Sequence, residues 1–145
     1  FIVGDKSTKY AMKIEQKAKN SSLGPKIQFT GRLYEVRDYY SIADIFVLPT
    51  IKKGEGCPVS LLEAMSCGIP PIASEVSGIK DILEPFPELL FSPGDKYNLA
   101  EKLENLIRLN DSKRDIYRKH ILKKYNVDLE VSNHERVYKK MLLIN

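Results

Sequence analysis

The sequence predicts an α/β fold: a Rossmann-like parallel sheet with helices on both faces, followed by extra C-terminal helices. Three observations carry this. Apolar runs of three or four residues recur along the chain, a helical pattern separates each from the next, and the runs, Gln28 apart, are apolar rather than alternating. A strand covered on both faces reads as such a run, and parallel neighbours need a crossover, usually a helix. Right-handed crossovers make the sheet doubly wound, with ligands beyond the carboxyl ends of its strands.

The elements follow in order. Phe1-Ile2-Val3 reads as a buried strand, and a start inside a strand without Met predicts a longer protein with chain before Phe1. Lys9 to Lys19 carries helix-spaced apolar residues at Tyr10, Met12, Ile14 and Ala18, with Ser7 or Thr8 as its cap. Ile27-Gln28-Phe29 is the second strand, broken by Gly31, and a short helix follows over Glu35 to Ile42. Ile45 to Leu48 forms the third strand, bounded by Pro49. A helix over Val59 to Cys67 is ended by Gly68, the residue suited to a helix terminus. Pro71-Ile72-Ala73 is the fourth strand, Ile79 to Leu83 a short helix, and Leu89-Leu90-Phe91 the fifth strand. Helices over Leu99 to Leu109, Lys113 to Lys124 and Asn133 to Leu143 complete the chain.

Composition sets the class. The 145 residues carry a net charge of +4, 43% hydrophobic and 29% charged residues, which suits one globular domain. Two cysteines, Cys57 and Cys67, are too few for a disulfide scaffold and fit a reducing, cytoplasmic setting. No apolar run approaches the ~18 residues of a membrane span, and no signal peptide opens the chain. Between Asp111 and Asn145 there are nine Lys or Arg against five Asp or Glu, so residues 1–110 are neutral and form a core distinct from basic helices over 111–145. The plain reading of those helices is a solvated face. They leave room for peripheral contact with an anionic membrane, whereas no nucleic acid partner is expected.

Several chemistries lack their residues. Gly4-Asp5-Lys6-Ser7-Thr8 has neither the earlier Gly of a phosphate loop nor the three spaced glycines of a dinucleotide fingerprint. His120 and His134 stand fourteen positions apart and the cysteines have no short spacing, so no metal site is predicted. A Gly-x-Ser-x-Gly nucleophile elbow is missing as well.

The stretch from Lys53 to Met65 stands out, because it follows the third strand and therefore lies at the carboxyl edge of the sheet. Gly54 and Gly56 flank Glu55 and let the backbone come close to a ligand. The helix starting near Pro58 or Val59 aims its N-terminus at the same place, a ready anion site. Glu63, inside Leu61-Leu62-Glu63-Ala64-Met65, has the mostly small neighbours Val59, Ser60, Ser66 and Cys67 one turn away. Its apolar flanks predict a buried carboxylate that meets hydroxyl donors.

These residues carry a resemblance. Glu55 and Glu63 form Glu-x7-Glu, continued by Glu63-Ala64-Met65-Ser66-Cys67-Gly68-Ile69-Pro70. Ala43-Asp44-Ile45-Phe46-Val47-Leu48-Pro49 precedes them and Ile72-Ala73-Ser74 follows. Together they resemble the donor-binding, C-terminal domain of the retaining glycosyltransferases of family four. Ser77-Gly78-Ile79-Lys80-Asp81-Ile82 is similar to that family's Gly-Gly-x-x-Glu segment, and Phe29-Thr30-Gly31-Arg32-Leu33 to its base-holding loop. The likeness runs from Phe1 to about Leu109.

The resemblance implies the C-terminal half of a GT-B glycosyltransferase: two Rossmann-like domains with the active site between them. An N-terminal acceptor domain and the first strand of the present domain are then absent from this chain. It implies transfer of a sugar, with retention at the anomeric carbon, from a nucleotide-sugar donor to a glycan or glycolipid acceptor, without cofactor or essential metal. Glu55 would hold hydroxyls of the transferred sugar and stabilise the reacting centre, while Glu63 would bind the ribose. Main-chain groups of Gly54, Gly56, Cys57, Pro58, Val59 and Ser60 would hold sugar and diphosphate. Gly31, Arg32 and Leu33 would line the base pocket, and the work would be done in the cytoplasm, at most peripherally at the inner membrane face. The chain departs from the family at three points. The Arg and Lys five positions apart that hold the diphosphate are not in it, Pro58 replaces a common Gly and removes a donor, and Pro71 replaces a common Val. Two other functions fit the same pattern: a nucleotide-sugar epimerase of GT-B architecture, and a non-catalytic binding module using the basic helices.

Overall fold

The structure, a computed structural model, describes residues 1–51, 55–109 and 114–143. The chain divides into two compact units, Phe1–Tyr39 and Tyr40–Asn145.

In the first unit β1 (Ile2–Val3) pairs parallel with β2 (Phe29–Gly31), Ile2 opposite Phe29 and Val3 opposite Gly31. The crossover is α1 (Lys9–Lys19), capped by Thr8, whose Oγ1 accepts from the Ala11 N–H at 3.1 Å. Strand β2 starts two residues later than the apolar run suggests and includes Gly31, whose φ of +81° a residue with a Cβ rarely adopts. Phe1, Ile2 and Val3 are exposed (63%, 44% and 49%), not buried as predicted. A two-residue strand paired along one edge only gives them little cover. The short helix α2 (Arg37–Ile42) crosses into the second unit.

The second unit holds a parallel sheet of β3 (Phe46–Leu48), β4 (Pro71–Ser74) and β5 (Leu90–Phe91), in the order β3-β4-β5. Phe46 faces Pro71 and Leu48 faces Ala73, while Ala73 and Ser74 face Leu90 and Phe91. Instead of one five-stranded sheet, the described strands thus pair as two parallel sheets. All four residues of β4 are buried, and Pro71 takes its first position, where a missing N–H is tolerated.

Helix α3 (Val59–Ser66) packs on β3 and β4 through Leu61, Ala64 and Met65, each with no exposed surface. Burying a Leu or Met side chain stabilises by roughly 1.5–3 kcal/mol. Its C-terminus is a Schellman motif: the Gly68 N–H bonds the Met65 carbonyl at 2.9 Å and the Ile69 N–H the Ala64 carbonyl at 3.0 Å. Gly68 has φ +77°, and a Cβ there would come within 3.2 Å of the Arg114 carbonyl oxygen. Arg118 donates to the carbonyl of Ser66, so α6 (Arg114–Lys124) closes over the end of α3. The core is completed by Ile79 and Ile82 of α4 (Ile79–Ile82), Phe91, Leu106 of α5 (Lys96–Leu109) and Tyr117. The last helix, α7 (Val127–Leu142), starts six residues earlier than predicted, because Asn126 caps it by accepting from the Leu129 N–H at 2.8 Å. None of its residues is buried.

Candidate functional site

The connection from β3 to α3 leaves the carboxyl end of its strand, where a parallel sheet places its ligands. Gly54 and Lys53 lie outside the described residues. Glu55 is half-buried, and its Oε1 accepts from the Thr50 hydroxyl at 2.7 Å. The main chain of Glu55 is pressed against Gly78, where a Cβ would lie 1.5 Å from the Glu55 carbonyl oxygen and 2.7 Å from that of Gly56. With φ at +82° as well, position 78 accepts glycine on two independent grounds. Gly56 itself is exposed, and among the described residues a Cβ there would meet nothing within 4 Å, although its carbonyl oxygen lies against Gly78. Cys57 is an exposed free thiol.

Pro58 is buried and is the N-cap of α3, one position before the first helical residue. Its carbonyl accepts from the Leu61 N–H at 3.0 Å, the first bond of the helix. The N–H groups of Val59 and Ser60 precede that bond and stand where a helix offers donors and partial positive charge to an anion. Val59 is exposed and Ser60 half-buried.

Glu63 is exposed, which corrects the expectation of a buried acid. The inward stripe of α3 is Leu61, Ala64 and Met65, and the small residues one turn from Glu63 form the outer face. The expected hydroxyl donor is present nonetheless. Tyr40 of α2 places its phenol oxygen 3.2 Å from Glu63 Oε2 and 3.3 Å from the Ser60 carbonyl oxygen. Burial of Tyr40, then the negative charge of Glu63 and the bond to it, push the phenol pKa well above its ordinary value. The hydroxyl therefore stays protonated and donates.

The predicted base-pocket residues belong to the first unit. Gly31 ends β2, and the aliphatic part of Lys6 runs 3.6 Å from where its Cβ would be. Arg32 is exposed and pairs with Asp5 at 3.4 Å, and Leu33 is half-buried. Asp5 also accepts from the Ser7 hydroxyl at 2.7 Å and the Ser7 N–H at 2.8 Å. Those bonds, with the Arg32 charge, hold its carboxyl below the usual range. The structure thus places Glu55, Gly56, Cys57, Pro58, Val59, Ser60 and Glu63 along one junction of the second unit. Among the described residues no cluster of three or more His, Cys, Asp or Glu side chains gathers anywhere. His120 contacts the Ile82 carbonyl at 3.0 Å and stacks edge-on to Phe86, as a packing residue does.

Sequence reasoning missed Thr50 and Tyr40. Thr50 directly follows the third strand and Pro49, which places it at the sheet edge. Tyr40 lies 23 positions from Glu63, and nothing local to either residue joins them.

The family model of the glycosyl transferases group 1 matches residues 1–123. The chain belongs to this family. Among group 1 relatives, the amylovoran biosynthesis glycosyltransferase AmsK of Erwinia amylovora is 34% identical over 105 residues, 69% of this chain and 25% of that protein. Of solved structures, sucrose-phosphate synthase from Thermosynechococcus elongatus matches with a TM-score of 0.84 at 24% identity, over 99% of this chain and 38% of its own. HepE from Anabaena in complex with UDP matches with a TM-score of 0.79 at 19% identity, over 96% and 39%. The fold is accordingly the α/β fold found in GT-B glycosyltransferases, and the chain spans a quarter of AmsK's length.

Proposed function

We propose that this chain is the donor-binding part of a retaining glycosyltransferase, which moves a sugar from a nucleoside-diphosphate sugar to a glycan or lipid-linked acceptor. The observation that carries the reading is the junction after β3: two carboxylates, each already accepting a hydroxyl, flank the open start of α3. An ionised carboxylate only accepts hydrogen bonds, and two vicinal hydroxyls of a sugar or a ribose are its natural donors. Glu55 takes the transferred sugar and Glu63 the ribose. The main chain from Gly56 to Ser60 receives the sugar and the diphosphate. The start of α3 favours the negative charge that builds on the leaving diphosphate, so the bond from the anomeric carbon to the diphosphate oxygen breaks more easily. This stabilisation needs no essential divalent metal. Family membership supports the reading, as does the UDP held by HepE. The acceptor is bound by parts of the protein outside this chain, in the cytoplasm, with peripheral contact at the inner membrane face through the basic helices.

Nucleotide-sugar affinity of the full-length protein tests the reading. Glu63→Ala is expected to weaken binding about tenfold or more, the loss of a charged hydrogen-bond acceptor. Unchanged binding would remove the ribose role.

A further inference from the structure

Glu63 has a geometric problem that its position alone does not solve. It is an exposed side chain on the outer face of α3, where a glutamate ordinarily samples several rotamers. A ligand that needed one of them would have to order it on binding, at a cost in affinity.

We propose that Tyr40 is a positioning residue for the nucleotide, holding the Glu63 carboxylate in the orientation that receives a pair of ligand hydroxyls. The proposal rests on Glu63 being the ribose acid. The tyrosine suits the task because it is itself fixed: its ring is half-buried and meets the Phe46 ring of β3 edge-on, with centroids 6.1 Å apart. From there one hydroxyl reaches Glu63 Oε2 and the Ser60 carbonyl at nearly equal distances, 3.2 and 3.3 Å. A phenol has one proton and these are two acceptors, so it serves one at a time or shares between them. Both consequences help binding. Among the described residues the carboxylate is engaged through Oε2, which leaves Oε1 and a lone pair of Oε2 for incoming hydroxyls. When a ligand hydroxyl claims Oε2, the phenol proton turns to Ser60, so no donor is stranded. The raised pKa of the phenol agrees, since it keeps the group a donor throughout the neutral range.

The test is a double-mutant cycle in the full-length protein, read by calorimetry with the tightest binder among UDP, GDP, ADP and CDP. Tyr40→Phe keeps the ring and removes only the hydroxyl, and an unchanged circular dichroism spectrum checks its folding. It is expected to weaken binding about three- to tenfold, the usual worth of one hydrogen bond or one ordered side chain. In the Glu63→Ala background the same change is expected to do nothing further. The 2′,3′-dideoxy analogue, which lacks both ribose hydroxyls, is expected to bind wild type and Tyr40→Phe alike, a result that a general loosening of the site would not give. Normal binding by Tyr40→Phe, with Glu63→Ala impaired, overturns the positioning role and leaves the ribose reading standing. An equal loss in the Glu63→Ala background, or with the dideoxy analogue, also overturns it. Unimpaired binding by Glu63→Ala, or binding of none of the four diphosphates, overturns the ribose reading and the proposal together.

Discussion

Glu55 and Glu63 both follow β3, yet one sits in a loop fixed by its own main chain and the other on a helix steadied by a phenol from another element. Glu55 is half-buried, takes a short bond from a hydroxyl five residues away, and has its carbonyl wedged against Gly78. Glu63 is exposed and depends on a contact 23 residues distant. The difference teaches that a loop acid is placed through the backbone, so that its weak point is a neighbouring glycine. A helix acid has its backbone placed already, and its weak point is side-chain freedom.

Substitutions can break that contrast or sharpen it. The largest effect is expected from Glu55→Ala: if this acid meets the reacting sugar, turnover falls about 100- to 1000-fold, as when one transition-state contact is removed. Donor affinity, measured alongside, should change far less, and a loss confined to affinity would erase the distinction between the two acids. Gly78→Ala comes next. A methyl group cannot share space with the Glu55 carbonyl, and the positive φ adds strain, so destabilisation of about 3 kcal/mol or more is expected in chemical denaturation. A wild-type midpoint would show that the loop is held elsewhere. Thr50→Val should be mildest, costing about 1 kcal/mol of stability and a several-fold drop in turnover, with nucleotide affinity kept. Parallel measurement of Tyr40→Phe, which should instead lose affinity and keep turnover, sets the two hydroxyls against each other.

Much of this was legible beforehand, for reasons that differ along the chain. The α3 region was clear because a Pro start, a Gly end and an apolar stripe agree on one helix. Strand β2 slipped by two residues because Gly31, an ordinary breaker, closes the strand from within it. The start of α7 was missed where Asn126 signals it, since in its first turn Val127 and Leu129 alternate with Asp128 and Glu130 instead of forming a helix-spaced apolar stripe. At the site, both acids and the helix start could be named, but the burial of Glu63 was misjudged from its apolar flanks. Residues adjacent in sequence do not say which face turns inward; the row Leu61, Ala64 and Met65 does. Tyr40 and the wedge at Gly78 depend on distances between elements far apart in sequence, which no local pattern encodes.

An isolated helix as long as α7 is marginal in water, and α7 has a capping asparagine and a Lys139–Glu135 pair at 3.3 Å but no interior packing. Heating should therefore melt it separately from the β3-β4-β5 layer, and its amide protons should trade with deuterium while those of β4 still resist.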